Sequence, residues 1–349
     1  MADGMIINRR YGVTDANMTS NVLETPPAAY NAGTTYALGA QVSVFGGPSN
    51  TTATMYESLQ AGNTGHTPSS SPTWWVSIGT AYLAYNAGTG YATGAIVTSA
   101  HRLYESISAG TNTGHALTDP AWWLEIGPSN QWAMFDDMTG SQTIRPNSIQ
   151  VEIDATGIID TIGMLNVSAA SINVQMIVDA VVVFDEDFSM TAYDNINDYY
   201  EYFFEPDERI DYLVVTGLPN NFSPTIKVTA TDTGDVAIGH FEIGHAFYVG
   251  RVTYGAEFGI TDYSKFETND FGEIYIVPRG YRDWGRFNVV IPKERVGAVK
   301  QLLSKYHAAP ALVVAVENYP TSYYGLIKDW RVEIAYPHES LLSLEVQGF

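Results

Sequence analysis

The side chains in this sequence that can do chemistry are histidines, carboxylates and serines, and their spacing gives no catalytic set. His240 and His245 stand five apart in "HFEIGH". A zinc protease needs H-E-x-x-H on a helix, with its histidines four apart. This stretch reads as a strand, in which residues five apart face opposite sides. "DEDF" (Asp185 to Phe188) and "EPDER" (Glu205 to Arg209) supply carboxylates. A glycosidase needs two of them at a defined separation across a cleft, and with 38 acidic residues some lie close by chance. No serine sits in a G-x-S-x-G elbow, and no G-x-x-x-x-G-K-[ST] phosphate loop occurs. Cysteine is absent, which excludes disulfides and thiolate metal sites. These residues predict no enzyme, no metal centre and no cofactor.

The other candidates are aromatic, and the chain writes them twice. "YNAGTTYALGAQV" from Tyr30 returns as "YNAGTGYATGAIV" from Tyr85. "YESLQAGNTGH" (Tyr56 to His66) returns as "YESISAGTNTGH" (Tyr104 to His115), and "WWVSIG" from Trp74 as "WWLEIG" from Trp122. The first copy is longer by the turn in "VFGGPSNTTAT". Two copies are too few for a solenoid or propeller, so each is expected to be a small domain. Pyranose rings present flat C–H faces that pack on aromatic faces, while nearby amides bond the hydroxyls. Tyr30, Tyr56, Trp74 and Trp75, with Tyr85, Tyr104, Trp122 and Trp123, are therefore the candidate sugar-binding residues. Asn31, Asn63, Asn86 and Asn112 are candidate amides. So small a domain also needs aromatics for its own core. Tyr36, Tyr91 and one tryptophan of each pair are assigned there, and His66 and His115 to turns.

Composition bounds the partners. The chain has 349 residues, 45% of them hydrophobic, enough for two to four domains with substantial cores. Its 17 basic and 38 acidic residues give a net charge of −21, which disfavours nucleic acid. Counted along the sequence, residues 1–128 carry −4, 129–246 carry −16 and 247–349 carry −1. The acidic middle reads as a solvated face. No run of 18 apolar residues suggests a membrane span. The first residues lack the apolar core of a signal peptide, so export by that route is not expected.

The elements that must position these residues are mainly β. "AQVSVF", "AIVTSA", "TMYESLQ" and "RLYESIS" are short strands of the two modules. From 128 to 246, "SIQVEID", "TIGMLNV", "SINVQMIV", "AVVVFD", "RIDYLVVTGL", "TIKVTAT" and "VAIGHFEIG" predict a β-sandwich. From 247 to 349, strands flank one helix in "KERVGAVKQLLSKYHA", where Val296, Val299, Leu302 and Leu303 have helical spacing between Pro292 and Pro310. The expected organisation is an N-terminal segment (1–27), two modules (28–80 and 81–127), a jelly-roll-like sandwich (128–246) and an α+β domain (247–349). The apolar last residue, Phe349, is expected in an interface or the core.

Three resemblances add to this. The order Tyr, Tyr, Gly, Val, then Tyr-Glu-Ser, Ala-Gly…Gly-His and Trp resembles the chitin-binding-type modules of carbohydrate-binding families 5 and 12. That likeness implies that the eight aromatics above display themselves to a polysaccharide. The chain departs from those modules at Gly39-Ala40 and Gly94-Ala95, where they often have Gly-Asp. "QWAMFDD" with "IGMLNVSAASINVQM" resembles galactose-binding-like jelly rolls. "HFEIGH", "YGAEFGITDYS", the Phe-Gly after Asp270 and the closing "LEVQG" resemble bacteriophage tail-tip or baseplate proteins over roughly 128–349. This implies a structural virion protein in the phage tail, made and assembled in the bacterial cytoplasm. Its partners would be other tail and baseplate proteins, host cell-surface polysaccharide and itself, as a homotrimer. Two readings stay open beside it: a secreted polysaccharide hydrolase with accessory modules, and an architectural protein whose modules bind other virion proteins.

Overall fold

A single strand of 28 residues, Thr225–Val252, organises the molecule. The computed structural model describes residues 4–192, 208–268, 271–272, 274–315 and 322–349. The expected strands "TIKVTAT" and "VAIGHFEIG" are both parts of this one element. Asp232, Gly234 and Asp235, which separate those two segments in the sequence, form a bulge. The Asp232 carboxylate accepts the Thr233 N–H at 2.6 Å, and the pairing slips from Ser148↔Thr231 to Pro146↔Asp235. The chain kinks there and continues in the same direction.

The first part of the long strand lies between Thr143–Asp154 and Ser171–Val178. Met18–Ser20 and Val181–Ser189 flank these. Past the bulge, residues 237–244 pair with Thr161–Ser168, which in turn pairs with Tyr212–Thr216. The two layers enclose one core, with Val151, Val174 and Val228 on one side and Ile162, Met164 and Phe241 on the other. The two layers have the character of a β-sandwich. Glu205–Asp207 of "EPDER" lie outside the described residues.

The end of the same strand builds a second core. Residues 244–251 pair with Gly4–Arg10, which pairs with Pro310–Val314, and this with Ser322–Glu333. Glu339–Gly348 and Tyr281–Pro292 follow, and Val290 returns to Arg251 of the long strand. The pairing is thus a closed ring of six antiparallel strands, a small barrel without a free edge. Its filling shows the period of two expected of strands: along Glu339–Gly348, Leu342, Leu344 and Val346 point inward. The single α-helix among the described residues, Val296–Lys305, follows a 3-10 turn and buries Val299, Leu302 and Leu303 against this core. The segment 1–27 is shared out, with Met5 and Ile7 in the barrel and Met18 and Val22 in the sandwich.

The two modules fill the stretch between Val22 and Ser129. Each is a three-stranded antiparallel sheet: Gln41–Gly46, Thr52–Ser58 and Trp75–Tyr82 in one, Ile96–Ser99, Arg102–Ser106 and Trp123–Pro128 in the other. The extra turn of the first copy joins them, since Ser49 Oγ accepts the Ala92 N–H at 2.7 Å. Gly39 and Gly94 both sit at positive φ (78° and 80°), where a glycine is free of strain.

The barrel also extends an arm. Glu257–Asp262 pairs with 281–286, and Lys265–Thr268 with Ile274–Val277, leaving a long hairpin with both faces in solvent. Phe258, Ile260, Phe266, Phe271, Tyr275 and Tyr281 are all more than half exposed, Phe271 at 91%. Among the described residues, no helix is long and apolar enough to cross a membrane.

Candidate functional site

In each module three rings pack together, beside a buried cluster of Met55, Ile78 and Ala81 in the first and around Ala95 and Val97 in the second. Tyr30 and Tyr36 stack with centroids 5.8 Å apart, and both meet Trp75 edge-on at 5.9 and 5.2 Å. Tyr85, Tyr91 and Trp123 repeat this at 6.0, 5.6 and 5.3 Å. Trp75 and Trp123 are only 3% exposed. Each indole N–H donates to a histidine carbonyl, His66 at 2.8 Å or His115 at 3.1 Å. The core tryptophan of each pair is thus the second one, and no sugar ring can reach either indole. Tyr30 and Tyr85 are half-buried members of the same clusters. The Tyr85 hydroxyl donates to the His115 carbonyl at 2.7 Å, whereas that of Tyr30 is buried with no partner among the described residues.

The remaining candidates lie nearer the surface. Trp74 and Trp122 are half-buried, each with one indole face covered by a histidine ring: His66 at 4.0 Å and 11°, His115 at 3.5 Å and 9°. Tyr56 and Tyr104 are half-buried on the central strands of the two sheets. None of the eight aromatics is openly exposed. The amides are used in part by the fold, two of them buried and two exposed. Asn63 and Asn112 are buried and donate to Ser58 Oγ and Ser106 Oγ at 2.9 and 3.2 Å. Asn31 and Asn86 accept the N–H of Gly33 and Gly88, both at 2.8 Å. The histidine–tryptophan stacks were not anticipated from the sequence. The parallel recurrence of His66 with Trp74 and of His115 with Trp122 was the available signal.

The second module is clamped by its hairpin tip. His101 stacks on Trp132 at 4.0 Å. Its Nδ1 lies 3.0 Å from Glu24 Oε2 and its Nε2 3.3 Å from Asp15 Oδ2. Ser129 Oγ donates to the other Glu24 oxygen at 2.7 Å. The donor atoms of Asp15, Glu24 and His101 lie within 4.8 Å of one another, and their types suit a divalent metal. However, each ring nitrogen already faces a different carboxylate, and a metal would need one nitrogen and both carboxylates to converge at about 2.0–2.2 Å. The geometry is that of a polar clamp. Arg145 Nη2 to Glu57 Oε2, at 2.8 Å, ties the first module to the sandwich.

His240 and His245 are separated, as their spacing requires. His245 is at the surface, with Nδ1 2.7 Å from Asp160. His240 is fully buried between sandwich and barrel. Its Nδ1 faces the Asp136 carbonyl at 3.0 Å and its Nε2 faces Glu242 Oε2 at 3.3 Å. Asn8 Nδ2 donates to Glu242 Oε1 at 2.6 Å, and the Tyr306 hydroxyl to the Asn8 carbonyl at 2.9 Å. The His240 ring stacks on Tyr324 at 3.8 Å, where burial holds the phenol well above its ordinary pKa. Glu242 and His240 are two residues apart on one strand face, and with Asn8 they join the long strand to the barrel. The carboxylates of "DEDF" lie on an exposed strand, where Asp185 and Asp187 accept from Asn173 at 2.9 and 3.0 Å.

Fold and sites together define a mainly β protein in which a sandwich and a small barrel share one strand and carry two aromatic-rich modules and an apolar arm. No protein-family model matches the chain, and no curated protein matches its sequence.

Proposed function

We propose that this chain is a non-enzymatic structural protein of a phage tail tip or baseplate. It assembles as a homo-oligomer, a trimer in the simplest arrangement, and its two modules touch host surface polysaccharide. The observation that carries the reading is the arm. An isolated two-stranded hairpin is marginally stable in water. Large apolar side chains bared together on one element mark an association surface. The barrel fixes the root of the arm and leaves the rest to be covered by neighbouring chains. The modules hang from the sandwich on the far side of the sequence from this arm, with Trp74 and Trp122 as the aromatic rings nearest the surface.

Phe266 and Ile276 face each other across the arm. The double substitution Phe266→Ser, Ile276→Ser is expected to turn an oligomer into a monomer in sedimentation, with the melting transition of the sandwich and barrel unchanged. A wild-type chain that sediments as a monomer at all concentrations contradicts the reading. For the modules, glycan-array binding by the full chain is expected, and Trp74→Ala with Trp122→Ala is expected to weaken it roughly tenfold through loss of stacking and of avidity.

A second reading has its own observation. All eight aromatics are buried or half-buried, two of the candidate amides, Asn63 and Asn112, are buried, and the other two spend their carbonyl oxygens on turns. Modules so closed serve as architectural spacers that bind other virion proteins. An array on which no polysaccharide binds selects this reading.

A further inference from the structure

A cleft of about 510 Å³ opens between the sandwich and the barrel, away from the modules. Tyr212 of the sandwich, Phe258 and Tyr281 at the root of the arm, and Phe349 supply its aromatic walls. Each lobe also contributes one carboxylate, Asp211 from the sandwich and Asp283 from the barrel. Neither side chain has a hydrogen bond or ion pair among the described residues. Burial by its surroundings, together with the charge of Asp211, raises the pKa of Asp283 above the usual carboxylate value, although the residue still reaches solvent. Tyr323 lines the same cleft and is 7% exposed, and its hydroxyl has no partner among the described residues. Burial and Asp283 push its phenol up to about 12.

These features narrow the occupant. Two solvent-exposed carboxylates on facing lobes, neither paired with a cation among the described residues, are neutralised by a positive charge placed between them. Aromatic faces are electron-rich and attract the same charge. A neutral sugar uses the rings and leaves both charges in place. A bare metal ion uses the carboxylates and has no need of the rings. We propose that this cleft binds an organic cation, a guanidinium or ammonium group on an apolar stem, held between Asp211 and Asp283 and stacked on Tyr281 or Phe258. Such a group reaches the cleft on a polypeptide side chain or as a free amine, and the net charge of −21 favours its approach.

The test is calorimetric titration of the full chain with ethylguanidinium, with its neutral isostere ethylurea, and with the blocked peptide acetyl-Gly-Arg-Gly-amide. Binding of the cations and not of ethylurea is expected. Asp283→Asn and Asp211→Asn are each expected to weaken binding roughly tenfold, the loss of one charge-assisted contact. Tyr281→Ala, at an exposed ring, should weaken it by a smaller factor without affecting folding, which thermal melts check. A peptide bound much more tightly than ethylguanidinium assigns the source to a protein side chain, and equal affinities assign it to a free cation. No binding of either cation at about 10 mM, equal binding of ethylurea, or affinities unchanged in both asparagine variants overturns the proposal. So does calcium binding that depends on the two aspartates while the organic cations fail. The monomeric arm variant keeps Phe258 and Tyr281, so loss of self-association and loss of cation binding are read separately.

Discussion

Trp123→Ala is expected to unfold the second module while the sandwich and barrel remain folded. The indole is 3% exposed, meets Tyr85 and Tyr91 edge-on, and donates to the His115 carbonyl. Removing a buried tryptophan costs about 3–5 kcal/mol. A unit of fewer than 50 residues buries too little to absorb that loss. Its core is also short of other material, since only Tyr91, Ala95 and Val97 are buried beside Trp123. Limited proteolysis should then cut between residues 83 and 128, with the high-temperature melt unchanged. The neighbouring Trp122→Ala is the control. That ring stacks on His115 and is half-buried, so its loss should cost about 1 kcal/mol and leave the module resistant to protease. Equal sensitivity of the two variants would show that the assignment of core and surface tryptophans is wrong.

The second large effect belongs to Glu242. Its carboxylate is 2% exposed and accepts from Asn8 while facing His240. Glu242→Ala leaves the Asn8 amide without its acceptor and takes away the group that faces His240 Nε2 inside a buried joint. Breaking a buried polar pair from one side costs about 3–5 kcal/mol. For a unit of this size that lowers the main melting temperature by roughly 10 °C. Glu242→Gln retains an acceptor for Asn8 and should lose clearly less. The effect is transmitted to both lobes, because Asn8 lies on the barrel strand Gly4–Arg10 and Glu242 on the strand that the sandwich and barrel share. A melt of Glu242→Ala that matches the wild type would remove this cluster from the account of how the lobes are joined.

Periodicity made most of the fold readable. Alternation in "SIQVEID", "SINVQMIV" and "SLLSLEVQG" gave strands because one face of each meets a core. The spacing of Val299, Leu302 and Leu303 gave the helix for the same reason. What was hidden was non-local. Asp232 and Gly234 have turn chemistry, and only the partner strand Thr143–Asp154, running past them without a break, turns them into a bulge. Nothing near Gly4–Arg10 announces that it pairs with residues 244–251, since that register is set by contacts more than 200 residues away.

The site was legible to a similar depth. Duplication identified the aromatics and the short size of each unit implied that some must be core. It did not say which tryptophan of each pair turns inward. That choice follows from strand phase: Trp75 and Trp123 open the last strand of each sheet and point into the module. The carboxylates of the cleft, Asp211 and Asp283, stand 72 residues apart in sequence and meet only through the packing of sandwich on barrel. The exposed rings of the arm were visible as residues but not as a surface, because alternation alone does not tell a hairpin with one covered face from one with none.

The central claim is that other copies of this chain cover the arm. Hydrogen–deuterium exchange over residues 257–286 of the full chain, measured across a range of chain concentrations, tests it most directly. The account predicts that backbone amides of the arm become protected as concentration rises, in step with the appearance of the oligomer. Fast exchange that is independent of concentration, beside a fully protected barrel, would contradict it.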